Sequence, residues 1–130
     1  MTSFKRIGKY KWRDGRPHQF YQDKKRDFEL RTGVRWSVSH AHGNMVFLPC
    51  IDFRSVADVQ PDPSVALKVE DAIRRGGDDL TGFVSFLDVH NDTRVPFATL
   101  FQVVKHLVKN GKARLTVNRM GDGTYVKLTD

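Results

Sequence analysis

The chain has a single cysteine, Cys50, among its 130 residues. One thiol excludes an internal disulfide framework and any zinc site built from several cysteines. Cys50 falls in the apolar run 45–51 and reads as a small core residue. No window approaches eighteen apolar residues, and the opening Met-Thr-Ser-Phe-Lys-Arg lacks the apolar stretch of a secretory leader. The expectation is a cytoplasmic protein with no membrane partner. Internal repeats and low-complexity tracts are absent from the sequence. So is a phosphate-cradling glycine loop: Gly76-Gly77 and Gly121-Asp122-Gly123 lack the strand and Lys-Ser/Thr context that such a loop requires.

Recognisable catalytic constellations are also missing. Metal-dependent nucleases need clustered carboxylates with a nearby lysine. Asp52, Asp58, Asp62, Glu70 and Asp71 are scattered around residues 54–63 without forming such a unit. Asp78-Asp79, Asp88 and Asp92 suit helix caps and turns. His40-Ala41-His42 puts two imidazoles on one strand face, but a metal site needs at least a third ligand. Asp52 or His18 is the nearest candidate. Ser39 beside His40 makes no nucleophile arrangement. No catalytic residue, metal ligand or cofactor is therefore assigned.

Positive charge is what the sequence has in excess. It carries 22 Lys/Arg against 15 Asp/Glu, for a net charge of +7. The distribution matters more than the sum: residues 1–35 hold eleven bases against four acids, residues 61–92 three against seven, and residues 93–130 seven against two. Two basic ends flank an acidic middle. Clustered Lys/Arg gain affinity for polyanions by releasing condensed counterions, so nucleic acid is the expected partner. A soluble protein whose charges merely keep it dispersed is the alternative.

The pattern along the chain is α+β. The first sixty residues read as an antiparallel β-rich part: a hairpin around Asp14-Gly15, a short strand over 28–31, an alternating strand through Val34, Trp36 and Val38, and a buried strand from Met45. Pro49 marks an edge, a bulge or a strand end. The breaker cluster Gln60-Pro61-Asp62-Pro63 precedes a helix capped by Ser64 and stopped by Gly76-Gly77. Residues 80–89 fit either a short helix or a strand. Phe97, Leu100, Phe101, Val104, Leu107 and Val108 then form the apolar stripe of an amphipathic helix over 95–110, ended by Asn110-Gly111. A basic hairpin follows, with strands 113–117 and 124–128. The division is a basic subdomain over 1–60 and a second over 61–130, or one compact unit.

The order helix, short helix, turn, helix, basic hairpin over 64–128 resembles the winged-helix superfamily. That resemblance implies a recognition helix at 95–110 and a wing at 113–128. Thr99, Gln102, Lys105, His106 and Lys109 then face the major groove, while Lys112, Arg114, Arg119 and Lys127 approach phosphates or the minor groove.

A second patch interleaves bases and rings through Lys9, Tyr10, Lys11, Trp12, Arg13 and Arg16. Such rings stack on unpaired bases, or face a core, or anchor a protein partner. The leading expectation is a non-catalytic nucleic-acid-binding protein in a regulatory or accessory role, with duplex DNA favoured over RNA. The alternative is a small interaction module or inhibitor of a larger nucleic-acid-processing protein, anchored by Tyr10, Trp12, Tyr21 and Trp36. A metal-dependent nuclease is third.

Overall fold

Tyr21 and Phe28 are seven residues apart, which places them on one face of a helix. The computed structural model describes residues 9–11, 18–41, 44–76, 82–117, 121 and 123–129, and in it these two rings are buried on α1, His18–Thr32. The strand expected over 28–31 is therefore helix, and the N-terminal part is not purely β. Ion pairs at i,i+4 support it, Lys25 with Glu29 and Asp27 with Arg31, both at 3.1 Å. Gly33, at φ 74°, ends it with its N–H on the Glu29 carbonyl.

Three strands form the sheet beneath α1. β1 (Lys9–Lys11) pairs antiparallel with β3 (Asn44–Cys50), which pairs antiparallel with β2 (Arg35–Ala41), giving the order β1-β3-β2. The expected hairpin at Asp14-Gly15 lies largely outside the described residues. β1 finds its partner in β3, and α1 already begins at His18. Pro49 sits opposite Trp36. The Trp36 N–H points away from β3 and donates to Glu29 Oε2 at 3.0 Å. The pair is thus a non-hydrogen-bonded one, and proline's missing donor costs no ladder bond there. That hydrogen bond is also the main cause that holds the Glu29 carboxyl below its ordinary 4.5.

Beyond β3, one 3-10 turn at Phe53–Ser55 leads through an extended stretch to α2, Pro63–Gly76. The cap of α2 is Asp62 rather than the expected Ser64. Pro63 takes the first helical position, and Asp62 Oδ1 accepts the Ser64 N–H at 2.9 Å. Within the stretch expected over 80–89, the described residues hold a strand and a helix in succession, β4 (Val84–Ser85) and α3 (Phe86–Thr93). Ser85 makes the switch, because its hydroxyl accepts the Asp88 N–H at 3.1 Å and caps α3.

Arg94, at φ 64°, ends α3, and Pro96 leads into α4, Phe97–Lys109, somewhat shorter than the 95–110 expected. The end of α4 is a Schellman motif. Gly111, at φ 74°, donates to the Val108 carbonyl, and Lys112 donates to the Leu107 carbonyl at 2.8 Å. β5 (Ala113–Val117) and β6 (Thr124–Leu128) form the antiparallel hairpin, and β6 also takes β4 on its other side. The second sheet is therefore β4-β6-β5.

One hydrophobic core runs through both halves of the chain. The Phe97 ring, on the first residue of α4, lies 5.3 Å from Trp36 and 6.4 Å from Phe28, centroid to centroid. The sheets approach at Gly123, whose absent side chain makes room for Leu48 and Ser37. Among the described residues, no helix is long and apolar enough to cross a membrane.

Candidate nucleic-acid interface

Buried Phe97, Leu100, Phe101, Val103, Val104 and Leu107 turn most of the α4 circumference inward. That leaves Ala98, Gln102, Lys105 and Lys109 along one outer line, with Thr99 and His106 beside it. Ala98 and Lys109 are exposed; Thr99, Gln102, Lys105 and His106 are half-buried. Of the five residues expected on the exposed face only Lys109 is exposed, and the face is not bare. Lys105 Nζ donates to the Val56 carbonyl at 2.5 Å, and Lys109 Nζ lies 2.7 Å from Asp58 Oδ2. Lys109 is the main cause that holds the Asp58 carboxyl below its ordinary range, helped by the charges of Lys105 and His106. His106 Nε2 lies 3.0 Å from the Asn110 amide nitrogen. Basic groups at this end also suit the negative pole of the helix.

The segment between β3 and α2 thus runs along α4. Further on, Gln60, Pro61, Pro63 and Leu67 border a groove of about 380 Å³ that His106 and Lys112 line from the other side. Neither Val56 nor Asp58 was singled out as a partner of α4. They lie 49 and 51 positions from the lysines they meet, beyond the reach of any local pattern.

On the hairpin, Arg114 of β5 stands directly opposite Lys127 of β6. Like charges in that relation repel. Lys127 turns toward Phe83, its Nζ 5.6 Å from the ring centroid, and its stem packs over Gly82. Arg114 and Lys112 are exposed, and neither has a carboxylate partner among the described residues. The hairpin side therefore presents positive charge at Lys112 and Arg114 that no carboxylate among the described residues neutralises. Arg119, expected at the hairpin tip, lies outside the described residues.

The second basic patch is not brought to this face by anything described. Lys9, Tyr10 and Lys11 contribute backbone to β1 beside β3, on the other sheet. Their side chains, and Trp12, Arg13 and Arg16 entirely, lie outside the described residues. Of the four proposed aromatic anchors, Tyr21 and Trp36 are core residues, buried to 3 % and 0 % exposure. Trp36 Nε1 donates to Thr32 Oγ1 at 2.9 Å, so its polar edge is satisfied inside the fold.

Four of the five carboxylates considered for metal-assisted cleavage have another engagement. Asp52 holds Arg54 across 3.0 Å, Asp58 holds Lys109, Asp62 caps α2, and Asp71 pairs with Arg75 at 3.1 Å. Among the described residues, no group of three or more His, Cys, Asp or Glu side chains is placed to hold a metal ion. His40 lies on β2 with its side chain outside the description, as is all of His42.

Comparison with protein-family models, curated proteins and solved structures finds no match for this chain.

Proposed function

We propose that this chain is a non-catalytic nucleic-acid-binding protein that engages duplex DNA in a regulatory or accessory role. On this reading residues 63–128 act as a winged-helix unit. The observation that carries it is the order α2-β4-α3-α4-β5-β6 together with the sheet order β4-β6-β5. The two-residue β4 before α3 folds back onto the last strand of the hairpin, which is how winged-helix units close their small sheet. In that arrangement the second helix of the α3–α4 pair and the hairpin address the nucleic acid.

Phosphate contact then falls to Lys112, Arg114, Lys127 and Arg119, with Lys105 and Lys109 on α4. Phe97 is committed to the core, so base edges are left to Thr99 and Gln102, a hydroxyl and an amide of the kinds that pair with bases. Two candidate readers are few. A partner bound mainly through its backbone, with modest sequence preference, fits this inventory better than tight sequence recognition.

Gel shifts with duplex DNA, single-stranded DNA and RNA test the proposal, comparing wild type with Arg114→Glu/Arg119→Glu/Lys127→Glu. The expected outcome is binding of duplex DNA by the wild type that weakens steeply with salt and is lost in the variant. Absence of binding to all three at low salt refutes the reading. Equal binding by the variant refutes the role given to the hairpin.

A further inference from the structure

Residues 52–62 are fixed at both ends. At the start, the Phe53 ring packs 6.2 Å from Phe86 and Val56 rests against the core. At the other end, Asp62 caps α2. Between these anchors Ala57, Asp58, Val59 and Gln60 are exposed. The stretch meets α4 through two lysines: Lys105 donates to the Val56 carbonyl and Lys109 pairs with the Asp58 carboxylate. Segment 52–62 carries three acids, Asp52, Asp58 and Asp62, against the single base Arg54. Thus an acidic strap lies on the basic outer line of a helix whose opposite side is core.

We propose that the outer face of α4 is a phosphate-binding surface that the strap keeps closed, with Asp58 occupying the place of a nucleic-acid phosphate. The inference rests on the function proposed above and adds a competitor within the chain. The chemistry of the exchange is direct. A carboxylate oxygen and a phosphate oxygen accept the same hydrogen bond from Lys109, and both carry negative charge. An exposed Lys–Asp pair is weak, because water and salt screen it. The strap middle, residues 57–60, is exposed, so its leaving α4 uncovers little core. DNA docking on α4 therefore has to exchange Asp58 for a phosphate before Lys109 can contribute. The fold builds a threshold into binding: weak polyanions meet a Lys109 already paired with a carboxylate, whereas a duplex held by the hairpin delivers phosphates at high local concentration.

The test is fluorescence anisotropy of a labelled mixed-sequence duplex at 50–200 mM salt. It compares wild type, Asp58→Asn, Asp58→Asn/Lys109→Gln and Asp71→Asn. Asp58→Asn keeps the side-chain shape and releases Lys109. It is expected to bind about threefold more tightly at the lowest salt, with a log–log salt slope steeper by about 0.9, the signature of one added phosphate contact. The double variant is expected to lose that gain. Asp71→Asn removes the same charge from the exposed side of α2 and is expected to match wild type. Equal affinity and slope for Asp58→Asn and wild type overturn the strap while leaving the DNA reading intact. An equal gain from Asp71→Asn assigns the effect to net charge and also overturns it. If neither wild type nor Asp58→Asn binds, the DNA reading itself fails and the strap proposal with it.

Discussion

Replacing Gly123 by alanine tests how the hairpin is seated. A β-carbon built there lies 2.6 Å from Leu48 Cβ, 2.9 Å from Leu48 Cδ1 and 2.8 Å from Ser37 Oγ. Carbon atoms in ordinary contact sit about 3.5–4.0 Å apart, so the new methyl needs roughly 1 Å of movement. The neighbours have little freedom to give it. Leu48 and Ser37 are cross-strand partners in β3 and β2, at 0 % and 8 % exposure. The closest atom is Leu48 Cβ, fixed to the backbone of the central strand, so a rotamer change cannot clear it. The backbone at Gly123 lies outside the left-handed region, unlike Gly111 and Gly121 with φ of 74° and 77°. The penalty is therefore steric and not conformational. Overpacking of this kind costs about 1–3 kcal/mol. For a chain of this size that lowers the melting temperature by roughly 3–5 °C per kcal/mol. Urea and thermal unfolding followed by far-UV circular dichroism supply the measurement. Because the clash pushes β6 away from the first sheet, the DNA binding proposed above is expected to weaken alongside stability. Unchanged unfolding for Gly123→Ala would show that the hairpin does not press on β2 and β3, and would refute the reasoning.

Two further outcomes follow from the aromatic cluster between the halves. Trp36→Phe removes the Nε1 bond to Thr32 and part of a fully buried ring against Phe28 and Phe97; a loss of about 2 kcal/mol in urea unfolding is expected, and an unchanged midpoint would contradict the packing. His90 stacks on Phe97 at 3.9 Å with Nδ1 2.7 Å from the Val95 carbonyl, and burial above all, then the charges of Arg31 and Arg94, lower its pKa from the ordinary 6.5 despite that hydrogen bond. A depressed folded-state pKa means that the unfolded chain takes up the proton first, so His90 contributes stability above pH 6.5 that is lost as pH falls through its folded value. NMR titration is expected to place the His90 midpoint below 6.5, and a midpoint at or above 6.5 would refute this.

The elements that the sequence revealed most clearly are those whose signals are local. The α4 stripe repeats every three to four residues, Asn110-Gly111 carries its own stop, and the 113–117 and 124–128 alternation is self-contained. By contrast α1 stayed hidden because its bases and rings alternate too irregularly to mark a face. The spacing of Tyr21 and Phe28 and the pairs Lys25/Glu29 and Asp27/Arg31 were the available helix signals, and they lay beside a composition that looked β-rich. Residues 80–89 were ambiguous because they hold two elements, and the boundary between them depends on the Ser85 hydroxyl. The candidate interface divides in the same manner. Which residues of α4 face outward follows from its period, whereas the neighbours of Lys105 and Lys109 do not.

The charge excess at both ends, the inward stripe of α4 and the hairpin that follows are properties of the sequence alone. Each of these depends on residue type or on neighbours a few positions away. The tertiary structure decided that Trp36 and Tyr21 belong to the core, that β4 closes onto β6, and that an acidic strap lies across the lysines of α4. Those outcomes arise from groups far apart in the chain, 49 and 51 positions for the two lysines and their partners, meeting because apolar faces had to be buried together. The period of a helix chooses which side chains point outward, and the packing of the rest of the chain chooses what they meet there.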